Sequence, residues 1–187
     1  MARNLVLDSG LHSRGDTVPV TRCCVRNGLQ SSARLCPESG SVGLSVEHQT
    51  VKALLTEQAL ARFESTHYHF CSDPQCDVVY FANDGSHFRS ADLRVPVWQK
   101  QPTGSRVVCY CFGESEASIG AEIQRTGRSL AVERIREHIT AGRCACDVRN
   151  PRGSCCLGDV MAEVKRVESA LPIRASADVA TRVSDVS

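Results

Sequence analysis

The chain has 187 residues, of which 42% are hydrophobic and 23% are charged. This composition supports a modest hydrophobic core in one domain or two small ones, and it argues against disorder of the whole chain. The 22 basic and 21 acidic residues leave a net charge of +1, so no global field favours nucleic acid or an anionic membrane as a partner. Without an apolar run long enough for a signal peptide or a membrane span, we expect a cytoplasmic protein with no membrane insertion.

The first half of the sequence predicts a small α+β unit. Residues 1–19 are expected to form a flexible N-terminus. Within residues 20–104, the stretch VKALLTEQALARF predicts a short helix or an extended start that leads into one. DVVYFAND predicts a strand that ends in a turn. ADLRVPVW alternates Leu93, Val95 and Val97 on one side, which is the period of a half-buried strand. The Pro and Gly of WQKQPTGS then indicate a linker to a second module.

The second half predicts a helical module over residues 105–169, followed by a tail over residues 170–187. ESEASIGAEIQRTG carries an apolar stripe and stops at Gly127, as helices commonly do. SLAVERIREHITAG has a possible cap at Ser129 and an end at Gly142. CCLGDVMAEVKRVESAL places its apolar side chains on one helical face. Three amphipathic helices are therefore expected to surround the cysteines of this half.

Eleven cysteines form two groups, one in each module. The first group is Cys23, Cys24, Cys36, Cys71 and Cys76, and the second is Cys109, Cys111, Cys144, Cys146, Cys155 and Cys156. A reducing cytosol favours metal binding or redox chemistry over disulfides, and an odd number of cysteines cannot pair completely. We therefore expect metal sites rather than a disulfide framework.

Two loops of the second module are expected to share one metal centre. VVCYCFG ends an apolar run with Cys109 and Cys111 just before a helix, whose N-terminal amides favour the thiolate form. RCACDVRNPRGSCCLG supplies further thiols after two intervening helices. Four thiolates from two loops suit either tetrahedral zinc or a 2Fe-2S cluster, and their spacing leaves both open.

The combination of CYCF, two helices and GRCACDVRNPRGSCCLG resembles the bacterioferritin-associated-ferredoxin-like (BFD-like) 2Fe-2S module. It is more closely similar to the N-terminal domain of CopZ-type copper chaperones. Upstream, CPESG, TVKALL, FCSDPQCDVVYF and DLRVPVWQK resemble the zinc-binding unit that this family attaches to its cluster domain. The resemblance covers roughly residues 20–165. It implies an α+β protein with a small zinc-binding α/β unit followed by a helical BFD-like 2Fe-2S domain.

The resemblance also implies which thiols bind the cluster. We expect the ligands to be Cys109, Cys111, Cys144 and Cys156, with Cys146 and Cys155 as alternates. Cys144 is favoured because it follows the Gly that ends a helix, and Cys156 because it opens the last helix. Adjacent cysteines point in different directions, so Cys155 and Cys156 are not expected to bind together. The two spare thiols are candidates for Cu(I) or simply for small buried side chains.

In the first module, Cys71 and Cys76 have the spacing of a zinc knuckle, with Asp and Pro at its turn. Cys36 supplies a third thiolate. Ser39 stands where the related proteins generally have another cysteine, so the set lacks one expected ligand. We favour Cys24 as the fourth. The alternatives are Cys23, His67, His69 and Asp73.

These features predict a zinc and 2Fe-2S accessory protein of copper or metal homeostasis that exchanges one electron with a protein partner. No nucleotide loop or catalytic triad is visible, so an enzyme is not expected. The family's copper carrier has a Met-x-Cys-x-x-Cys loop, which this sequence lacks. The alternative is a non-redox zinc-binding module for protein interaction. Four arginines flank the ligand loops and would favour the reduced cluster if they lie close to it: Arg106, Arg143, Arg149 and Arg152.

Overall fold

A four-stranded antiparallel sheet forms the first half of the computed structural model, which describes residues 34–104 and 106–170. The strands follow chain order and are β1 (Leu44–Val46), β2 (Tyr68–Phe70), β3 (Val78–Ala82) and β4 (His87–Arg89). All five residues of β3 are buried, as expected for an interior strand rich in Val, Tyr and Phe. The predicted strand DVVYFAND is therefore confirmed. The predicted flexible N-terminus, residues 1–19, lies outside the described residues, as does the predicted tail, residues 170–187, apart from Ala170, which ends the last helix.

The stretch predicted as one helix forms two, α1 (His48–Leu54) and α2 (Glu57–Leu60). The break lies at Leu55, which is extended and makes an isolated bridge with Leu93. The next residue, Thr56, caps α2, because its side chain accepts a hydrogen bond from an amide of the first turn. A tertiary contact thus overrides the local helical pattern.

The strand predicted for ADLRVPVW was wrong. Its first two residues belong to a short 3₁₀ turn, Ser90–Asp92, and its last begins another, Trp98–Lys100. Residues 93–97 connect the two turns. The carboxylate of Asp92 accepts a hydrogen bond from the backbone amide of Arg89 at 2.8 Å, which closes the first turn. Pro96 has no amide for a strand ladder. Leu93 and Val97 are nevertheless buried, so the apolar pattern correctly indicated core residues but not their backbone conformation.

The second half contains a short hairpin and four helices. These elements are β5 (Val107–Cys109), β6 (Glu114–Ser115), α3 (Glu116–Thr126), α4 (Ala131–Thr140), α5 (Cys146–Arg149) and α6 (Leu157–Ala170). The three predicted helices are confirmed, and α3 ends at Gly127 with φ of 83°, a conformation that favours glycine. Ser129 does not occupy the cap position, which belongs to Leu130. The hydroxyl of Ser129 instead donates to the carboxylate of Glu122 and accepts from the amide of Ala131.

Each half has its own hydrophobic core. The first is built around Tyr68, Phe70 and Tyr80 of the sheet, and the second around Ile119 and Ile135 of α3 and α4. The two halves meet where α1 packs against the four-residue helix α5. The chain is thus a mixed α/β protein with a small antiparallel sheet. Across the described residues, every helix is too short or too polar to cross a membrane.

Candidate metal centres

Three buried thiols of the first half meet in one place. The Sγ atoms of Cys36, Cys71 and Cys76 all lie within 4.8 Å of one another, and those of Cys36 and Cys76 are 3.8 Å apart. Cys71 directly follows β2, and one residue separates Cys76 from the start of β3. The amide of Cys71 donates to the carbonyl of Val79 at 2.9 Å. Pairing of β2 with β3 therefore brings the two ends of the knuckle together.

Hydrogen bonds from within the Cys71–Cys76 knuckle and from outside it stabilise its backbone. Asp73 accepts a hydrogen bond from the amide of Gln75 at 2.9 Å, the turn that its position predicts. Lys100 reaches over from its 3₁₀ turn and donates to the carbonyls of Asp73 and Cys76 at 2.9 and 2.8 Å. Cys36 lies in a separate turn, closed by a hydrogen bond from its own amide to the carbonyl of Ser41. The three thiols are thus preorganised by backbone contacts.

Ser39, which stands where the related proteins have a cysteine, contacts this set, since its Oγ lies 3.5 Å from the Sγ of Cys71. The predicted candidates for the fourth ligand are placed differently. His69 is buried and stacks on Phe81 with ring centroids 5.4 Å apart, and neither it nor Asp73 belongs to the close group of metal-ligating residues. His67 contacts the hydroxyl of Ser45 at 3.0 Å. Cys24, the favoured fourth ligand, and its alternate Cys23 lie outside the described residues.

Hydrogen bonding prepares one thiol of this set for metal. Burial raises the pKa of Cys36, but hydrogen bonds from the side chain and backbone of Ser39 outweigh burial and bring the pKa to about 7. The pKa of Cys76 is raised, mainly by burial. Zinc binds thiolates and displaces their protons. The donor set fits zinc, with three cysteine sulfurs in place.

Six thiols converge in the second half, around Cys146. Its Sγ lies 3.6 Å from that of Cys111 and 3.2 Å from that of Cys144. Cys146 also contacts Cys155 and Cys156. Cys156 in turn contacts Cys109. A continuous row of thiols therefore runs from Cys109 through Cys156 and Cys146 to Cys111.

These thiols come from two loops and the starts of two helices. Cys109 ends β5, and Cys111 lies in the turn before β6, which a hydrogen bond from the amide of Gly113 to the carbonyl of Cys109 closes at 2.8 Å. Cys146 opens α5, and Cys156 immediately precedes α6, where its carbonyl accepts from the amide of Val160. Both loops are thus anchored by secondary structure at the cysteines themselves.

We call the four thiols of this row the inner set, and Cys144 and Cys155 the outer set. Cys109, Cys146 and Cys156 are buried. Cys111, Cys144 and Cys155 are all half-buried, and each of them contacts Cys146. The structure thus brings together all the predicted ligands and their alternates. It places the alternate Cys146, rather than the favoured Cys144, at the centre. The sequence favoured Cys144 because it follows the glycine that ends α4. Helix α5, which places Cys146, has four residues and is too short to leave a periodic signal.

Contacts between the thiols lower the pKa of two of them and raise the pKa of two others. A hydrogen bond from Cys146 lowers the pKa of Cys111, and one from Cys109 lowers the pKa of Cys156. The same two contacts raise the pKa of Cys146 and of Cys109. In addition, the amide of Ala145 donates to the Sγ of Cys111 at 3.4 Å. Two thiolates and an amide aimed at sulfur form a donor set that fits a sulfur-ligated metal or cluster.

Two of the four flanking arginines lie close to these thiols. The guanidinium of Arg149 donates to the carbonyl of Cys111 at 3.3 Å, and the charge of Arg152 contributes to the lowered pKa of Cys156. Arg106 instead pairs with buried Glu116. Arg143 is exposed on the loop after α4. A cluster at this site would therefore be adjacent to the positive charges of Arg149 and Arg152.

Comparison with known proteins gives three findings. A family model described as a zinc binding domain, of CopZ type, matches residues 33–94. The copper chaperone CopZ of Archaeoglobus fulgidus is 36% identical over 123 residues, which are 65% of this chain and 57% of that protein. The crystal structure of the CopZ N-terminal domain from the same organism superposes with a TM-score of 0.58 at 31% identity, and the match covers 69% of this chain and 96% of that one. The chain thus contains a CopZ-type zinc-binding domain and is homologous to the N-terminal domain of CopZ.

Proposed function

We propose that this protein binds zinc at its first thiol set and a 2Fe-2S cluster at its second, and that it exchanges single electrons with a protein partner in copper or metal homeostasis. The observation that carries the proposal is the row of four inner thiols, Cys109, Cys156, Cys146 and Cys111. Its members come from two loops, and each contacts the next in the row. Four thiolates are the ligand set of a 2Fe-2S cluster.

The surroundings of the inner thiols support a redox centre. A 2Fe-2S cluster supplies a site for one electron, and its potential depends on nearby charge, hydrogen bonds to sulfur and exposure. The chain offers each of these: Arg149 and Arg152 beside the thiols, the Ala145 amide on Cys111, and a half-buried outer side. The arginines favour the added negative charge of the reduced state.

The link to copper rests on homology and remains part of the proposal. The relative is named a copper chaperone, and this chain spans 57% of its length. We infer that the chain handles copper through an electron-transfer or metal-linked partner rather than by carrying copper on a Met-x-Cys-x-x-Cys loop, which its sequence lacks. The sequence has no nucleotide loop and no catalytic triad, and we propose a non-enzymatic role.

Metal and sulfide analysis of the purified protein tests the proposal directly. Protein purified without oxygen is expected to be red-brown, with about two iron and two sulfide per chain and one zinc. Cys146→Ser should reduce the iron content far more than Cys144→Ser, because Cys146 lies in the inner set. Colourless protein that contains only zinc would refute the cluster.

One observation favours a second candidate, a non-redox zinc protein. Cys111, Cys144 and Cys146 form a compact group with all Sγ atoms within 4.8 Å, and three thiolates also suit zinc or Cu(I). Two zinc ions per chain and no sulfide would support this alternative. Cu(I) uptake that survives Cys109→Ser would instead indicate an independent copper site that includes the outer thiols.

A further inference from the structure

The loop that carries Cys146 is held by the sheet half of the molecule. The hydroxyl of Thr50, in α1, donates to the carbonyl of Asp147 at 2.5 Å, and Gln49 donates to the carboxylate of the same residue at 3.2 Å. Gly153 approaches Thr50 so closely that an added Cβ would lie 3.0 Å from its hydroxyl oxygen. Helix α5 and the turn after it thus lie directly against α1.

A buried tyrosine fixes the same loop at a second point. The hydroxyl of Tyr80, in the middle of β3, donates to the carbonyl of Pro151 at 2.7 Å. Burial raises the pKa of Tyr80, so the hydroxyl remains a donor at any physiological pH. Asn150, also buried, donates to the carbonyl of Ser154 at 2.7 Å. These bonds define the path of the chain between Cys146 and Cys156.

The other ligand loop is attached to the sheet half in the same way. Tyr110 lies between Cys109 and Cys111 in sequence. Its hydroxyl donates to the carbonyl of Pro96 at 2.7 Å and accepts from the amide of Trp98 at 2.9 Å. Each of the two loops that supply the inner thiols is therefore bonded to the first half through a side-chain hydroxyl.

The first thiol set is directly connected to one of these attachments. Cys76 precedes β3, which carries Tyr80, and Cys71 follows β2, where Phe70 pairs with Tyr80 in the sheet register. Metal bound by Cys71 and Cys76 would fix the junction of β2 and β3. The position of the Tyr80 hydroxyl depends on this junction.

We propose that the zinc-binding half is the scaffold of the second site, with Tyr80 as a positioning residue, and that metal on the first thiol set slows the loss of iron from the second. The inference rests on the proposed function in so far as it concerns iron. Its structural part, that Tyr80 and the first metal site restrain the Cys146 loop, requires no cluster.

Tyr80→Phe, compared with Tyr68→Phe, tests the positioning role in the full-length protein. Tyr68 is an equally buried tyrosine of the same sheet, but its hydroxyl accepts a bond from Glu64 within the first half. Loss of one buried hydrogen bond to the ligand loop should make bleaching of the visible spectrum by an iron chelator about tenfold faster, a factor that corresponds to about 1.4 kcal/mol. Tyr68→Phe should bleach at nearly the wild-type rate. Equal rates in the two variants would overturn the positioning role.

A substitution in the first thiol set tests the coupling between the two metal sites. Cys76→Ser should also speed bleaching, and combining it with Tyr80→Phe should give less than the product of the two single effects, because both act on one restraint. A double variant whose rate increase equals the product of the two single increases would overturn the coupling through Tyr80.

Hydrogen exchange separates this inference from the proposed function. In protein stripped of iron but loaded with zinc, the amides of residues 146–150 and 152–156 should exchange faster in Tyr80→Phe than in wild type or Tyr68→Phe. Unchanged exchange would overturn the scaffold itself. Wild-type protein that never contains iron and sulfide would overturn the proposed function and the iron-retention part of this inference, while the exchange result would still decide the scaffold.

Discussion

Replacing Glu116 by Gln should reveal how the first ligand loop is anchored. Glu116 opens α3 and its side chain is only 2% exposed. Its carboxylate accepts from the amide of Gly104, from the guanidinium of Arg106 with an Nε–Oε1 distance of 2.7 Å, and from Arg166 of α6 at 3.2 Å. The carboxylate therefore ties the segment leading into β5 and Cys109 to two helices. Gln keeps the shape but loses the charge.

Two arguments give similar magnitudes for this change. Burial raises the pKa of Glu116, but hydrogen bonds from Arg106 outweigh it and lower the pKa from 4.5 to about 2. At about 1.4 kcal/mol per pKa unit, the ionised form contributes about 3 kcal/mol to folding. Removing one partner of a buried ion pair costs a similar 3 to 5 kcal/mol. Glu163 lies 3.9 Å from Arg106 and would compensate in part, so we expect a loss of about 2 to 3 kcal/mol near pH 7.

The pH dependence distinguishes this ion pair from general packing. Because the folded-state pKa is lowered, its stabilisation is fully present above the unfolded value of 4.5 and is lost as the pH falls toward 2. Urea unfolding of wild type and Glu116→Gln should therefore differ most at pH 7 and converge near pH 2. Loss of metal in acid affects both proteins and cancels in the difference. Glu133→Gln, an exposed site on α4, is the matched control and should differ from wild type by less than about 0.5 kcal/mol.

A difference between wild type and Glu116→Gln that stays constant from pH 7 to pH 2 would refute the reasoning, since the loss would then come from packing rather than charge. A difference below about 1 kcal/mol at pH 7 would refute it as well, because the buried carboxylate would then gain little from its arginines.

Three further substitutions test other parts of the structure. Gly43→Ala would place a Cβ 2.7 Å from the Cβ of His69 and against the ring of Phe81. This overpacking should lower the free energy of unfolding by about 2 kcal/mol. The control Gly158→Ala, whose added Cβ would meet open space, should change the free energy of unfolding by less than about 1 kcal/mol. Ser39→Cys should tighten zinc binding about tenfold or more, since it adds a fourth cysteine to Cys36, Cys71 and Cys76. Competition with a fluorescent chelator measures the affinity. An unchanged affinity would show that a fourth ligand already closes the site. His69→Phe removes two buried ring nitrogens without hydrogen-bond partners. Because burial lowers the pKa of this histidine, the variant should unfold at an equal or higher urea concentration and lose less stability below about pH 6.5.

The helices of the second half were predictable because their apolar residues repeat along one face and glycines mark their ends. Gly127 and Gly142 both have positive φ, as helix ends require. The convergence of Cys36 with the knuckle was also expected, because CPESG resembles the zinc-binding unit of the CopZ-type family. In these places local sequence and tertiary structure agree.

The remaining features depend on contacts between distant residues. The helix break at Leu55 exists because Leu55 pairs with Leu93, and no local pattern encodes that partner. Helix α5 has four residues, which is too few for a periodic signal. Its position, and hence the central place of Cys146, depends on α1 and on Tyr80, 71 residues from its hydrogen-bond partner in sequence. The third ligand could therefore not be chosen from spacing alone.

The stretch WQKQPTGS has the composition of a flexible connector, and its residues 102–104 are exposed, so proteases should find it readily. Cleavage in this stretch would nevertheless not separate the two halves of the molecule. Tyr110 is bonded to Pro96, Tyr80 to Pro151, and Thr50 to Asp147 across the cut, so a nicked molecule would remain assembled until denatured. Fragments expressed separately would each expose the surface that the other half now covers.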